Sequence, residues 1–126
     1  YWDLRKKVFQ FVESPDRQYA EIIEICNKRP QSLSLVIDQL ESCLHDLILN
    51  FSQGTSPPET SQWMNSDGSE FLKKHVQTLS KRKRSQRALR DYWNQCETQL
   101  LTARKQLDLP LNRKIMTQNL FASWIR

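Results

Sequence analysis

Only two glycines, Gly54 and Gly68, occur in 126 residues, and they lie fourteen positions apart in a single stretch. Glycine supplies the positive-φ positions that tight hairpins need and the open backbone of phosphate-cradling loops. A chain this poor in glycine has little means of building a β-sandwich, a barrel or a doubly wound α/β unit, and it has no glycine-rich phosphate loop. Helices are what remain. The length fits one ordinary domain, which buries roughly two thirds of the surface of its unfolded chain. Apolar residues at 38% and charged residues at 26% are enough for a core under a polar surface.

The net charge of +5 conceals an asymmetry. Residues 1–66 carry six Lys/Arg against nine Asp/Glu, whereas residues 67–126 carry thirteen against five. Such halves attract each other, or the basic half meets an external polyanion. The three cysteines, Cys26, Cys43 and Cys96, have no short spacing, and with His45 and His75 they build no local metal template. Each falls at an apolar-periodic position and reads as a buried, reduced thiol, which points to cytosol or nucleus. No run of 18 apolar residues and no secretory signal is present, so no membrane partner is expected. The chain starts at Tyr1 rather than Met and reads as a piece of something longer.

Apolar periodicity places the elements. Leu4, Val8 and Phe11 share one face of a helix from Trp2 to about Glu13. Ser14-Pro15-Asp16 then stops one helix and starts another, with Ser14 as the cap, Pro15 at the first position and Asp16 favouring the dipole. The second helix presents Tyr19, Ile22, Ile23 and Cys26 and ends near Lys28, before Pro30. From Ser32 or Ser34 to Phe51 runs the strongest helical pattern: Leu33, Val36/Ile37, Leu40, Cys43/Leu44 and Leu47/Ile48. Residues 1–51 thus form a helical hairpin unit. Residues 52–69 hold both glycines, two prolines and many Ser/Thr and read as a linker, with Trp63-Met64 docking back onto the helices.

Ser69 opens a pattern reaching about Leu107, with Leu72, Val76, Leu79, Leu89, Trp93, Cys96, Leu100 and Leu107 in a nearly heptad stripe. Unbroken, this helix would span roughly 55–60 Å. The run from Lys81 to Arg87 interrupts the stripe, so the helix projects into solvent there or the chain bends. A terminal helix from about Leu111 to Arg126 carries Ile115, Leu120, Phe121, Trp124 and Ile125. The expected fold is all-α: an irregular bundle in which residues 70–126 pack on the first unit. Trp93, Cys96 and Leu100 are expected in its core. Phe121, Trp124 and Ile125 either close the bundle or form a partner-binding patch, and the patch is the favoured reading.

No catalytic constellation is apparent. The chain lacks G-x-S-x-G, H-E-x-x-H and C-x-x-C, and His45-Asp46 are helix neighbours that point different ways. No enzyme, metal or cofactor is therefore expected. The sharpest electrostatic feature is Lys81, Arg82, Lys83, Arg84, Arg87 and Arg90. Lys83, Arg87 and Arg90 on one helix face would track phosphates, and Lys81–Arg84 fits a nuclear localisation signal. A solvated face, or a partner for the acidic half, accounts for the same residues.

Val8…Phe11, Ser14-Pro15-Asp16, Tyr19-Ala20-Glu21-Ile22-Ile23-Glu24-Ile25, Val36, Ile37, Leu40 and Asp46-Leu47-Ile48-Leu49-Asn50-Phe51 together resemble the paired amphipathic helix repeat of transcriptional corepressor scaffolds. The resemblance covers about forty per cent of the chain. Two departures are that His45 stands where the family has Pro, and that the closing Phe-Leu-Pro is absent. The resemblance implies a groove between the first two helices, lined by Val8, Phe11, Tyr19, Ile22 and Ile23, that takes a partner's amphipathic helix. The same residues packing against the second half is the competing expectation. Function is accordingly expected to be a non-enzymatic protein-interaction domain of a nuclear regulatory or chromatin-associated complex. The alternative is a nucleic-acid-binding helical domain using Lys81 to Arg90.

Overall fold

A computed structural model describes residues 2–29, 31–51, 63–82, 85–107 and 113–125. Among them are six α-helices, one 3-10 turn and no strand, so the chain is all-α. The helices are α1 (Trp2–Glu13), α2 (Pro15–Lys28), α3 (Ser32–Phe51), α4 (Ser69–Arg82), α5 (Gln86–Gln106) and α6 (Arg113–Ala122). No helix among the described residues is long and apolar enough to cross a membrane.

The first three boundaries fall where proline and serine set them. Ser14 is the N-cap of α2 and Pro15 its first helical residue, but the Ser14 side chain makes no capping bond. The helix is anchored instead by the Gln18 N–H donating to the Ser14 carbonyl (3.1 Å). The pattern from Ser69 to Leu107 is two helices, so of the two possibilities at the basic run the chain takes the bend. Ser85 supplies the new start: its Oγ accepts the Ala88 N–H at 3.1 Å and satisfies one of the unpaired donors of the first turn. Lys81 and Arg82 occupy the last turn of α4, where cations oppose the negative end of the dipole.

The helices share one core. α1 packs against α2, α3 and α4; α3 packs against α5; and α6 closes onto α2 and α5. Val8, Phe11, Leu33, Ile37, Leu40, Leu47, Leu72, Trp93, Leu100, Phe121 and Trp124 are all fully buried. α3 and α5 run antiparallel. Gln86 Nε2 donates to the Phe51 carbonyl (2.7 Å) at one end, and Arg104 reaches Asp38 and Glu41 at the other.

The segment 63–68 is fastened by polar groups. Asp46, fully buried, accepts the backbone N–H groups of Met64 (2.8 Å) and Asn65 (2.9 Å) and the Asn65 side-chain amide (2.8 Å). Arg5 of α1 forks onto Asp67 through Nε and Nη2, both at 2.8 Å, and donates to Gln39 (2.7 Å) and Asn65 (2.9 Å). Hydrogen bonding to Arg5 holds the Asp67 carboxyl below its usual range. Trp63 docks as expected, edge-on to Phe51 at 5.9 Å, whereas Met64 is exposed. Gly68 is required by close approach: a Cβ there would stand 2.3 Å from the Phe9 ring, which stacks on Phe71 and lies under the Arg5 guanidinium.

Candidate functional site

The residues expected to line a groove between α1 and α2 do not form an open surface. Val8, Phe11 and Ile22 are buried, while Tyr19 and Ile23 are partly covered. The occupant is the chain itself. Phe11 meets Phe121 edge-on at 5.3 Å and Trp124 at 6.1 Å, and the Tyr19 hydroxyl donates to the Gln118 carbonyl (3.4 Å). Phe121 and Trp124 are correspondingly core residues, with Ile125 half-buried beside them. The favoured reading of the terminal helix as an interface patch is therefore corrected: α6 and the turn after it close the bundle. Its apolar face also differs from the expected one, with Met116 buried and Ile115 exposed.

Buried histidine and thiol chemistry is quiet. His75 is enclosed by Tyr92, Trp93 and Trp124. Its Nε2 must accept, because the Trp93 Nε1–H (3.2 Å) can only donate, so its Nδ1–H donates to the Val12 carbonyl (2.9 Å). Burial pushes the His75 pKa down to about 4. The thiols of Cys26 and Cys43 are pushed up to about 12 by burial, which keeps them protonated and weakly nucleophilic at neutral pH. Among the described residues no three His, Cys, Asp or Glu side chains are grouped to hold a metal ion.

The described basic residues divide between two helices. Lys81 and Arg82 are exposed at the end of α4, Arg87 and Arg90 are exposed one turn apart on α5, and Lys83 and Arg84 lie outside the described residues. Arg87 and Arg90 share α5, and the expected place of Lys83 on their face falls outside the described residues.

An open apolar surface lies elsewhere, between α3 and α5. Leu44, Ile48 and Leu49 from α3 and Leu101 from α5 line a groove of about 380 Å³, with Glu41, His45 and Glu97 on its rim. The groove continues past Ile48 to Trp93, Asn94 and Arg90. Ile48 is 37% exposed, Leu49 55% and Leu101 49%. Sequence periodicity placed Ile48 on the inner stripe and passed over Leu49 and Leu101. The overlooked signal is the apolar runs Leu47-Ile48-Leu49 and Leu100-Leu101. Neighbours in a helix diverge by about 100°, so a run of two or three cannot all face the core, and Leu47 and Leu100 are the buried members.

Compared with protein-family models, with curated proteins and with solved structures, the chain matches none. In this chain the Ser32–Phe51 segment, which includes the Asp-Leu-Ile stretch, is a single helix.

Proposed function

We propose that the chain is a non-enzymatic helical protein-interaction domain that takes a partner helix on its α3/α5 face, within a nuclear regulatory or chromatin-associated assembly. The observation that carries this reading is the convergence of Ile48, Leu49 and Leu101, all large, apolar and exposed, on one groove between two antiparallel helices. Docking an amphipathic helix between two others reproduces the packing of a helical bundle and removes that surface from water. The α1/α2 groove implied by the family likeness is filled by α6, so the docking face moves to the opposite pair of helices. Lys81 and Arg82, exposed at a helix end, leave the nuclear-import reading chemically reasonable.

Leu101→Asp tests the reading. The variant should keep its melting temperature within a few degrees, since the side chain is half exposed, and lose capture of its nuclear partner. Leu35→Asp, at an exposed apolar site on the same helix α3 but outside the groove, should keep it. Equal capture by both variants would move the docking face elsewhere. The nucleic-acid reading draws on the exposed Lys81, Arg82, Arg87 and Arg90, and it requires affinity for duplex or single strands that falls steeply with salt. Absence of any shift at low salt would remove it.

A further inference from the structure

Ser85 follows four consecutive cations, in the sequence Lys81-Arg82-Lys83-Arg84-Ser85-Gln86-Arg87. It lies between α4, which ends at Arg82, and α5, which begins at Gln86. Its backbone is extended, with φ −120° and ψ 149°, and its side chain is exposed. Ser34, Thr78, Thr98 and Thr102 are the other exposed serines and threonines among the described side chains, and each sits inside a helix. Thr98 and Thr102 also commit their hydroxyl hydrogens to the carbonyls four residues back, at 3.0 Å each. Ser85 Oγ instead accepts the Ala88 N–H, and among the described residues its own hydroxyl donates to nothing. Lys81, Arg82 and Arg87 are exposed and make no ion pair with a described residue. Arg82, three residues before Ser85, is the last residue of α4, and helix ends fray.

We infer that Ser85 is a phosphorylation site for a serine/threonine kinase whose substrate cleft is lined with carboxylates. Such a cleft takes its acceptor segment extended, and a hydroxyl inside a helix reaches it only if the turns on either side melt. Ser85 asks for no more than the loss of its own cap and one frayed end. The carboxylates read the Lys and Arg side chains ahead of the serine by opposite charge. In the transfer the Ser85 hydroxyl oxygen attacks the γ-phosphorus of ATP. The bond from that phosphorus to the bridging oxygen breaks, ADP leaves, and the hydroxyl proton passes to the aspartate base of the kinase. The phosphate brings roughly −1.5 to −2 charges at neutral pH into a segment rich in cations. It also takes over from Oγ at the first turn of α5, where an anion meets the positive end of the dipole. Modification thus lowers the charge of the basic segment and stabilises the helix that follows it.

The folded chain, incubated with ATP and the catalytic subunit of cyclic-AMP-dependent protein kinase, tests this by mass spectrometry. One phosphate on Ser85 is expected. Ser85→Asn should take up none; asparagine caps a helix as well as serine does, so the loss reports the missing hydroxyl and not a weaker fold. Arg82→Ala should slow incorporation roughly tenfold. The phosphorylated chain should melt about 1–5 °C above the unmodified one, with the gain shrinking in high salt. Phosphate that persists on Ser85→Asn overturns the site. So does incorporation into a peptide of residues 79–91 but not into the folded chain, or into neither. A rate unchanged by Arg82→Ala overturns recognition through the basic run, and a lower melting temperature after modification overturns the capping role.

Discussion

Trp124 illustrates how a single side chain can be legible as apolar and yet misplaced. Its neighbours in sequence announce a hydrophobic face, but a pattern on one helix carries no record of what covers it. In the fold it is 1% exposed and packed against Phe11, His75 and Tyr92, and the Tyr92 hydroxyl donates to its carbonyl. Trp124→Ala should therefore destabilise by about 3–5 kcal/mol, on a par with Trp93→Ala, in paired thermal melts. Trp124→Phe should behave differently. The indole N–H finds no acceptor among the described residues, so replacing it with an apolar ring relieves a buried unsatisfied donor and keeps most of the packing. A loss within about 1 kcal/mol is expected, and a loss as large as that of the alanine variant would mean the N–H is satisfied. Nearby, His75 makes stability depend on pH. Its folded pKa of about 4 lies below the unfolded value of 6.5, so the unfolded chain binds the proton first. Stability is fully present above pH 6.5 and is lost as pH falls toward 4, by on the order of 3 kcal/mol. Denaturant titrations at pH 7 and pH 4.5 should show this drop, and His75→Gln should flatten it.

At the scale of elements, the start and stop of α1, α2 and α3 were readable because each boundary has a local chemical cause, with Pro15 setting the sharpest. The division between α4 and α5 was readable only as an interruption of the apolar stripe. No proline or glycine marks it, and Ser85 acts as a cap through a bond that sequence spacing alone does not single out. Ser85→Ala should cost about 1 kcal/mol in urea melts without changing the slope of the transition. The clamp on residues 63–68 was not readable, because its members are scattered over three elements and look individually like surface residues. Asp46 beside His45 has the appearance of a solvated pair, yet its carboxylate answers two backbone donors in the core. Asp46→Ala strands those donors and should destabilise by about 2–4 kcal/mol. Gly68→Ala should also destabilise, because Phe9 is wedged between Phe71 and Arg5 and must move to admit a methyl group. Near-neutral melts for the alanine at 68 would show that the Phe9 ring has room to yield.

Across the whole molecule, the acidic and basic halves meet through particular ion pairs rather than through a general field. Arg104 bridges Asp38 and Glu41, and Lys74 lies 3.9 Å from Glu13. These pairs are largely exposed and add little to stability; the apolar interior does most of the joining. No helix of the first half buries its stripe without help from the second: α1 needs α4, α2 needs α6 and α3 needs α5. The Phe51 and Trp63 rings also touch, and Asp46 holds Met64 and Asn65, so the two ends of the intervening segment are tied to one place. Severing the chain between those ties leaves every such contact intact. The gene could thus be divided there and expressed as two polypeptides, one acidic and one basic, each unfolded by circular dichroism alone. Mixed, they should regain helicity together, which would make this protein a two-part reporter that assembles on encounter.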